Sequence, residues 1–263
     1  MLVESANPLR MKKAILFLAL TTVGWGQDWP AYGGDDGGTR FSRLRQIGVE
    51  NVSQLRLAWS VPTEELKTYM GTRLGEKAAF ECTPLKVGRT LYVVTPTNRV
   101  LALDAGNGTR LWVYDPQVSR AQTFSEVTCR GLAYSQGRLY LGTLDARLIC
   151  LDAETGKPSA DFHGGEVDLK TSEAGALVPG NYQMTSPPAV LGDLVIVGSA
   201  IGDNLATDEA RGVVRAFDRI TGQLRWSWDP VPRRAGDEGY ESWKGPKAHQ
   251  TGAANAWPPI SVD

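Results

Sequence analysis

The chain has 263 residues, 42% of them hydrophobic and 22% charged, with a formal net charge of −1. This is the composition of a globular protein with enough apolar side chains for a core, and so even a balance supplies no field for holding nucleic acid or anionic lipid. Two histidines and three cysteines without CxxC spacing give little support to a zinc site or a Ser-His-Asp triad, and neither a phosphate-binding Gly-Lys loop nor a dinucleotide fingerprint occurs.

At the N-terminus, Met11, Lys12 and Lys13 precede an apolar run over residues 14–20, and Gly24 and Gly26 are small residues at the two positions a signal peptidase reads. Residues 1–26 therefore read as an export signal cleaved after Gly26, with Met11 as an alternative initiator. The run is too short to span a bilayer, and no later segment is long enough to do so. Residues 27–263 are expected to be exported, periplasmic or secreted, without a transmembrane anchor. The Gly- and Asp-rich residues 28–38 read as a lead-in loop rather than a calcium loop, because the ligand spacing of an EF-type loop is missing. Residues 51–59 read as a closing strand ending at Trp59, and residues 63–77 as polar and irregular. Cys82, Cys129 and Cys150 make an odd count, so at least one thiol is free, and spacing alone assigns no disulfide.

The motif that organises the chain runs over residues 102–112: Ala102, Asp104, Gly108 and Trp112. It returns as Ala216, Asp218, Gly222 and Trp226, and a degenerate copy with Asp152 and Gly156 has Pro158 and Ala160 where the aromatic end belongs. An apolar strand ends at an Asp that can accept turn amides, Gly supplies positive φ, and a second strand follows, so each copy predicts a β-hairpin. The Trp is suited to filling the gap between one small sheet and the next. Upstream of each copy, residues 91–94, 139–141 and 194–197 are apolar without polar alternation, as in strands covered on both faces. The Asp positions 104, 152 and 218 lie 48 and 66 residues apart, the longer interval carrying an insert over residues 160–181. Such periods point to propeller blades. The expected fold is all-β, a partial β-propeller of about three to four blades.

Several further segments occur in order: Glu81 to Val87, Thr128 to Tyr134 with Cys129, Arg130 and Gly131, Thr185 to Pro188, Gly198 to Asn204, and Asn255 to Trp257. With the repeat, they make the chain resemble the pyrroloquinoline quinone (PQQ) dependent dehydrogenases. The nearest likeness is to the quinoprotein domain of glucose and quinate dehydrogenases, with a more distant one to methanol and ethanol dehydrogenases. The resemblance implies an eight-bladed propeller, PQQ as cofactor and calcium or magnesium beside it. It assigns Arg130, Thr185 and Ser186 to the PQQ carboxylates, Glu81 to a position beside the cofactor, and Trp257 to stacking on the ring. Those residue types suit a flat tricarboxylate, which calls for cationic and hydroxyl partners and a planar surface. Asp203 and Asn204 match a pair whose oxygens hold the divalent cation, which acts as a Lewis acid on the quinone. The alternatives are a surface ion pair for Arg130, a strand-end Glu for Glu81, and caps on the turn before Pro187 for the two hydroxyls. An Asp-Asn turn and a further interblade Trp are the corresponding alternatives for residues 203–204 and Trp257.

The departures from the family pattern are specific. Cys129 lacks the adjacent cysteine of the methanol-type branch, and Glu126 stands where part of the glucose-type branch has a His, so that an acid faces the cofactor's carboxylates. The family's catalytic Asp base and a further cationic PQQ partner come from later blades, and no residue here is assigned to the base. The expected function is the N-terminal part of a periplasmic PQQ-dependent dehydrogenase of sugars or alcohols, passing electrons to a membrane quinone or a cytochrome. The alternatives are a non-catalytic repeat scaffold or an inactive truncated fragment.

Overall fold

Each Asp-to-Gly segment is a tight turn closing a buried strand. The Asp104 carboxylate accepts the Gly106 amide at 2.9 Å, and the Gly108 amide donates to the Asp104 carbonyl at 2.8 Å. Asp152 accepts the amide and hydroxyl of Thr155, both at 2.7 Å, and Asp218 the amides of Ile220 and Thr221 at 3.0 and 2.9 Å. Gly108, Gly156 and Gly222 close the turns at φ of 75°, 71° and 71°, a left-handed conformation that a side chain would strain. Chiefly through the Gly106 amide, the Thr155 hydroxyl and the Thr221 amide respectively, the three carboxyls are held below the usual carboxylate range.

The structure, a computed structural model, describes residues 26–262 apart from 172, 173, 176 and 203–205. All but the last residue of the expected export signal, together with Asp203 and Asn204, lie outside the described residues. Strand β1 (Ala78–Ala79) precedes a first blade of β2 (Leu85–Val87), β3 (Thr90–Val94), β4 (Val100–Asp104) and β5 (Arg110–Tyr114). Strand β6 (Val127–Thr128) leads into a second blade of β7 (Ala133–Ser135), β8 (Arg138–Gly142), β9 (Arg147–Asp152) and β10 (Glu166–Asp168). After β11 (Tyr182–Gln183) come β12 (Ala189–Leu191), β13 (Leu194–Val197), β14 (Ala200–Ile201), β15 (Val214–Asp218) and β16 (Leu224–Trp228). Of these β14 pairs back to β11, and the other four form the third blade. Each blade is a four-stranded sheet in meander order with antiparallel pairing. Its middle strands are buried on both faces, as their unbroken apolar runs predict.

The blades are joined by aromatic side chains. A Cβ on Gly108 would lie 2.7 Å from the Trp59 ring, and one on Gly156 would lie 2.5 Å from the Trp112 ring, so each Trp sits directly on the glycine of the next turn. Trp112 Nε1 donates to the Ala153 carbonyl at 3.2 Å. The Tyr92 and Tyr140 hydroxyls reach across in the same way, to the carbonyls of Ala153 and Arg219 at 3.0 and 2.9 Å. Ala153 and Arg219 each follow a turn Asp, so turn chemistry and interblade joint occupy the same few atoms. At the third blade, Leu224, Trp226 and Trp228 are 45%, 41% and 59% exposed.

Three expectations need correction. Residues 51–59 form no ladder: Val52–Gln54 is a single 3-10 turn, because no neighbouring strand pairs with the segment, although Trp59 still takes the role of Trp112. Residues 63–77 are not irregular but form two short helices, α1 (Glu65–Tyr69) and α2 (Arg73–Lys77), which bury Tyr69 and Leu74 against Phe124 and Leu144. The degenerate second copy does have an aromatic end. Phe162, fully buried, packs edge-on to Tyr140 and lies 3.4 Å from where a Cβ on Gly222 would be, and the outer strand β10 falls inside the expected insert. All three cysteines are free, in keeping with an odd count from which spacing assigned no disulfide.

If the Trp-on-Gly contact is the joint, Trp112→Ala costs about 2–4 kcal/mol of stability, whereas Trp226→Ala costs less than about 1 kcal/mol; urea unfolding midpoints distinguish the two. The depressed turn carboxyls bind protons at lower pH in the folded chain than in the unfolded one, so the unfolded chain binds more protons on the acid side. Stability then falls as pH drops below about 4, and replacing Asp152 and Asp218 together by Asn flattens that acid limb in thermal melts.

Candidate functional site

Two backbone threads draw the inner ends of the blades together. The Thr83 amide donates to the Arg130 carbonyl at 3.0 Å, and the Arg130 amide donates to the Thr185 carbonyl at 2.9 Å. Parallel pairing of β1 with β6 sets Ala79 beside Thr128 just upstream. Residues 81–83, 128–130 and 184–186, each leading into an inner strand, therefore meet at one end of the blades, as the sequence predicts for Glu81, Arg130, Thr185 and Ser186.

Arg130 is the centre of this cluster. Its side chain is only 16% exposed, it pairs with Glu81 at 3.0 Å, and Glu126 lies 3.9 Å away. Its guanidinium sits 5.0 Å from the centroid of the Trp257 ring, within cation–π range. Arg130 also donates to the Thr185 carbonyl at 3.5 Å.

Trp257 arrives on a segment that needs glycine beneath it. A Cβ on Gly198 would lie 1.9 Å from the Ala256 carbonyl oxygen, and one on Gly212 would lie 1.8 Å from that of Ala254, so only glycine admits the crossing backbone. The Ala253 amide donates to the Ala210 carbonyl at 2.8 Å, and Arg233 ties the preceding loop by donating to the His249 and Thr251 carbonyls at 3.0 and 2.7 Å. Arg233 is a supporting residue that sequence reasoning missed, because a long loop carries no periodic signal.

The hydroxyls of Thr185 and Ser186, with that of Ser199, are buried without a hydrogen-bond partner among the described residues. They do not cap the turn before Pro187. Burying an unpaired hydroxyl costs about 1–3 kcal/mol, so such atoms in a native site point to a ligand that would pair with them. They line a void of about 10 Å³ under Ala256 and Trp257, and a planar ligand reaches them only if that segment lifts. Trp257 also borders a cavity of about 700 Å³, lined by Lys77, Ser125, Glu126, Asn181 and Ala200 among others. The buried Gln183, also missed from sequence, accepts the Glu126 amide at 3.2 Å and donates to the Glu126 carbonyl at 2.6 Å.

Cys82 and Cys129 stand next to Glu81 and Arg130 in the chain, and burial pushes their thiols up to about 11 and about 12. They act as apolar filling rather than as nucleophiles. Among the described residues no group of three or more His, Cys, Asp or Glu side chains is placed to hold a metal ion. Asp203 and Asn204, the sequence-predicted metal residues, follow Gly202, which lines the larger cavity, and lie outside the described residues. The described part of the site brings together the Arg130 guanidinium, the carboxylates of Glu81 and Glu126, three unpaired hydroxyls and one indole face.

The family described as PQQ glucose/ethanol/alcohol dehydrogenase, beta-propeller domain, matches residues 29–263. The quinoprotein glucose dehydrogenase of Escherichia coli is 39% identical over 78% of this chain and 27% of its own length. The quinate/shikimate dehydrogenase (quinone) of Acinetobacter baylyi is 35% identical over 90% of this chain and 31% of its own length. Among solved structures, the quinohemoprotein alcohol dehydrogenase from Comamonas testosteroni superposes with a TM-score of 0.73 at 31% identity, over 90% of this chain and 34% of that one. A europium-containing methanol dehydrogenase gives 0.69 at 29% identity, over 88% of this chain and 39% of that one. The chain thus spans less than a third of the length of these two curated relatives.

Gly198→Ala forces the Ala256 carbonyl away. The expected outcome is a loss of about 1–3 kcal/mol in stability and a change in Trp257 emission, read as the difference in fluorescence between Gly198→Ala alone and Gly198→Ala with Trp257→Phe. An unchanged spectrum and midpoint would show that the crossing backbone is not held there.

Proposed function

The chain belongs to the β-propeller family of PQQ-dependent glucose, ethanol and alcohol dehydrogenases, and on that premise we propose that it supplies the cofactor-holding blades of an exported dehydrogenase of sugars or alcohols. The observation that carries this reading is the convergence of Arg130, Trp257 and the unpaired hydroxyls of Thr185 and Ser186 at one end of the blades. A scaffold needs the Trp-on-Gly joints but has no use for buried, unpartnered hydroxyls beside a cation.

PQQ, when bound, supplies an orthoquinone that accepts hydride from an alcohol carbon, with calcium or magnesium polarising its carbonyl. The residues of this chain bind and orient. The Arg130 guanidinium would neutralise a carboxylate of the cofactor through charge-assisted hydrogen bonds. Glu81, at 3.0 Å, holds that guanidinium in place. The hydroxyls of Thr185 and Ser186 would donate hydrogen bonds to carboxylate oxygens of the cofactor were residues 256–257 to lift, and the Trp257 indole would offer it a planar stacking surface that excludes water. Asp203 and Asn204 are assigned to the cation by residue type, carboxylate and amide oxygens being ligands that calcium accepts. The proton acceptor for the substrate hydroxyl is assigned to no residue of this chain. Residues 1–26 would direct export, and the electron acceptor would be a membrane quinone or a cytochrome.

The test is titration of the chain with PQQ in calcium chloride, followed by quenching of Trp fluorescence. Saturable binding is expected, weakened at least about tenfold, or about 1.4 kcal/mol, by Arg130→Gln and by Trp257→Ala. A folded chain that binds no PQQ would overturn the reading and leave the repeat scaffold in its place.

A further inference from the structure

Three hydroxyls, not two, share the space under Trp257. Ser199 sits in the short link between β13 and β14, and the antiparallel pairing of β11 with β14 sets Gln183 opposite Ala200. Continued by one residue, that register puts Ser199 beside Met184, so it arrives next to Thr185 from a different stretch of the chain. Ser199 is 2% exposed and Thr185 1%. The Ser199 Oγ, like the hydroxyl oxygens of Thr185 and Ser186, has no hydrogen-bond partner among the described residues, and all three residues line one void. At about 10 Å³, that void is near the lower limit for one water and far too small for a carboxylate. Its roof is formed by Ala256 and Trp257, and the Ala256 carbonyl is seated on Gly198, the residue just before Ser199.

A serine that merely filled this position would be better replaced by alanine, since an unpaired buried hydroxyl lowers stability and a methyl group does not. Each hydroxyl has one proton to donate, and an ionised carboxylate only accepts, with room on its two oxygens for several donors. Three hydroxyls from two stretches of chain around one space match a single carboxylate. Resting on the cofactor reading above, we propose that Ser199 is a further binding residue, donating its hydroxyl proton to the same cofactor carboxylate as Thr185 and Ser186 when residues 256–257 lift. Removing the hydroxyl then has opposite consequences in the two states. The free chain loses an unpaired polar atom, whereas the complex loses a charge-assisted hydrogen bond.

The experiment uses the full chain as wild type, Ser199→Ala and, for comparison, Arg130→Gln. Urea midpoints are measured without ligand, and PQQ and its uncharged trimethyl ester are titrated separately by Trp quenching in calcium chloride. Ser199→Ala is expected to hold or raise the midpoint while weakening PQQ about threefold to tenfold and the ester, which accepts only neutral hydrogen bonds, by less than about twofold. A lower midpoint in Ser199→Ala would overturn the proposal, since the hydroxyl would then already be paired in the free chain. So would an unchanged PQQ affinity, or equal losses for PQQ and the ester, with Arg130→Gln still weakening PQQ; the cofactor reading then stands without Ser199. A folded wild-type chain that binds no PQQ overturns that reading itself, and the role of Ser199 falls with it.

Discussion

A tryptophan seated on a glycine is the contact on which this arrangement of blades depends. The missing Cβ of Gly108 and of Gly156 is what lets the Trp59 and Trp112 rings settle within 2.5 to 2.7 Å of where that atom would be. Because those glycines close turns that start at an Asp, local hydrogen bonding and long-range packing are satisfied by the same few residues. The second joint adds directional bonds, from Trp112 and Tyr92 to the one carbonyl of Ala153. Such a joint fixes distance and rotation together, because the ring must lie on the turn while its N–H finds the carbonyl. The joint between the second and third blades shows how much substitution it tolerates. Phe162 replaces the indole from a different place in the chain, and Tyr140 keeps the hydrogen bond to the carbonyl that follows the Asp.

The site follows from those joints. Once the blades sit at fixed angles, the residues ahead of each inner strand come within backbone hydrogen-bond distance of one another, from Thr83 through Arg130 to Thr185. Side chains from three separate stretches then share one space, and the chain covers it with the 252–257 segment, held down where Gly198 and Gly212 allow backbone contact. The electrostatics of that space are uneven. Arg130 is oversupplied with carboxylate, while the hydroxyls of Thr185 and Ser186 have no partner among the described residues. Stability alone would favour pairing the hydroxyls and removing the second acid. On the cofactor reading proposed above, the unpaired hydroxyls are the groups a ligand would engage.

Much of the fold was legible because it is local. Asp104, Gly108 and Trp112 lie within nine residues of one another, so the repeat carries its own turn and its own joint in a readable order. The doubly buried strands were legible for the same reason, as short apolar runs without alternation. The helices α1 and α2 were not, since each is five residues long, too short for a periodic signal, and their Tyr69 and Leu74 side chains are buried against residues fifty or more positions away. Phe162 was missed because it fills the indole's place from ten residues beyond Asp152, after a stretch with no repeat pattern. Glu81, Arg130, Thr185, Ser186 and Trp257 were named from motif resemblance and are in fact brought to one end of the blades. Gln183 and Arg233 were not named, since both act on backbone atoms that only folding brings near them.

By itself, then, the amino-acid order determined the blade: where the strands turn, which residues close the turn, and which ring reaches for the next glycine. These depend on interactions within a dozen or so residues, and side-chain type is enough to specify them. Only the tertiary structure decided that the guanidinium of Arg130 would lie against Trp257 with two carboxylates beside it, and that the neighbouring hydroxyls would be left unpaired. Those relations join residues from 81 to 257, and their distances are set by how three rigid sheets pack, a quantity that no local pattern encodes.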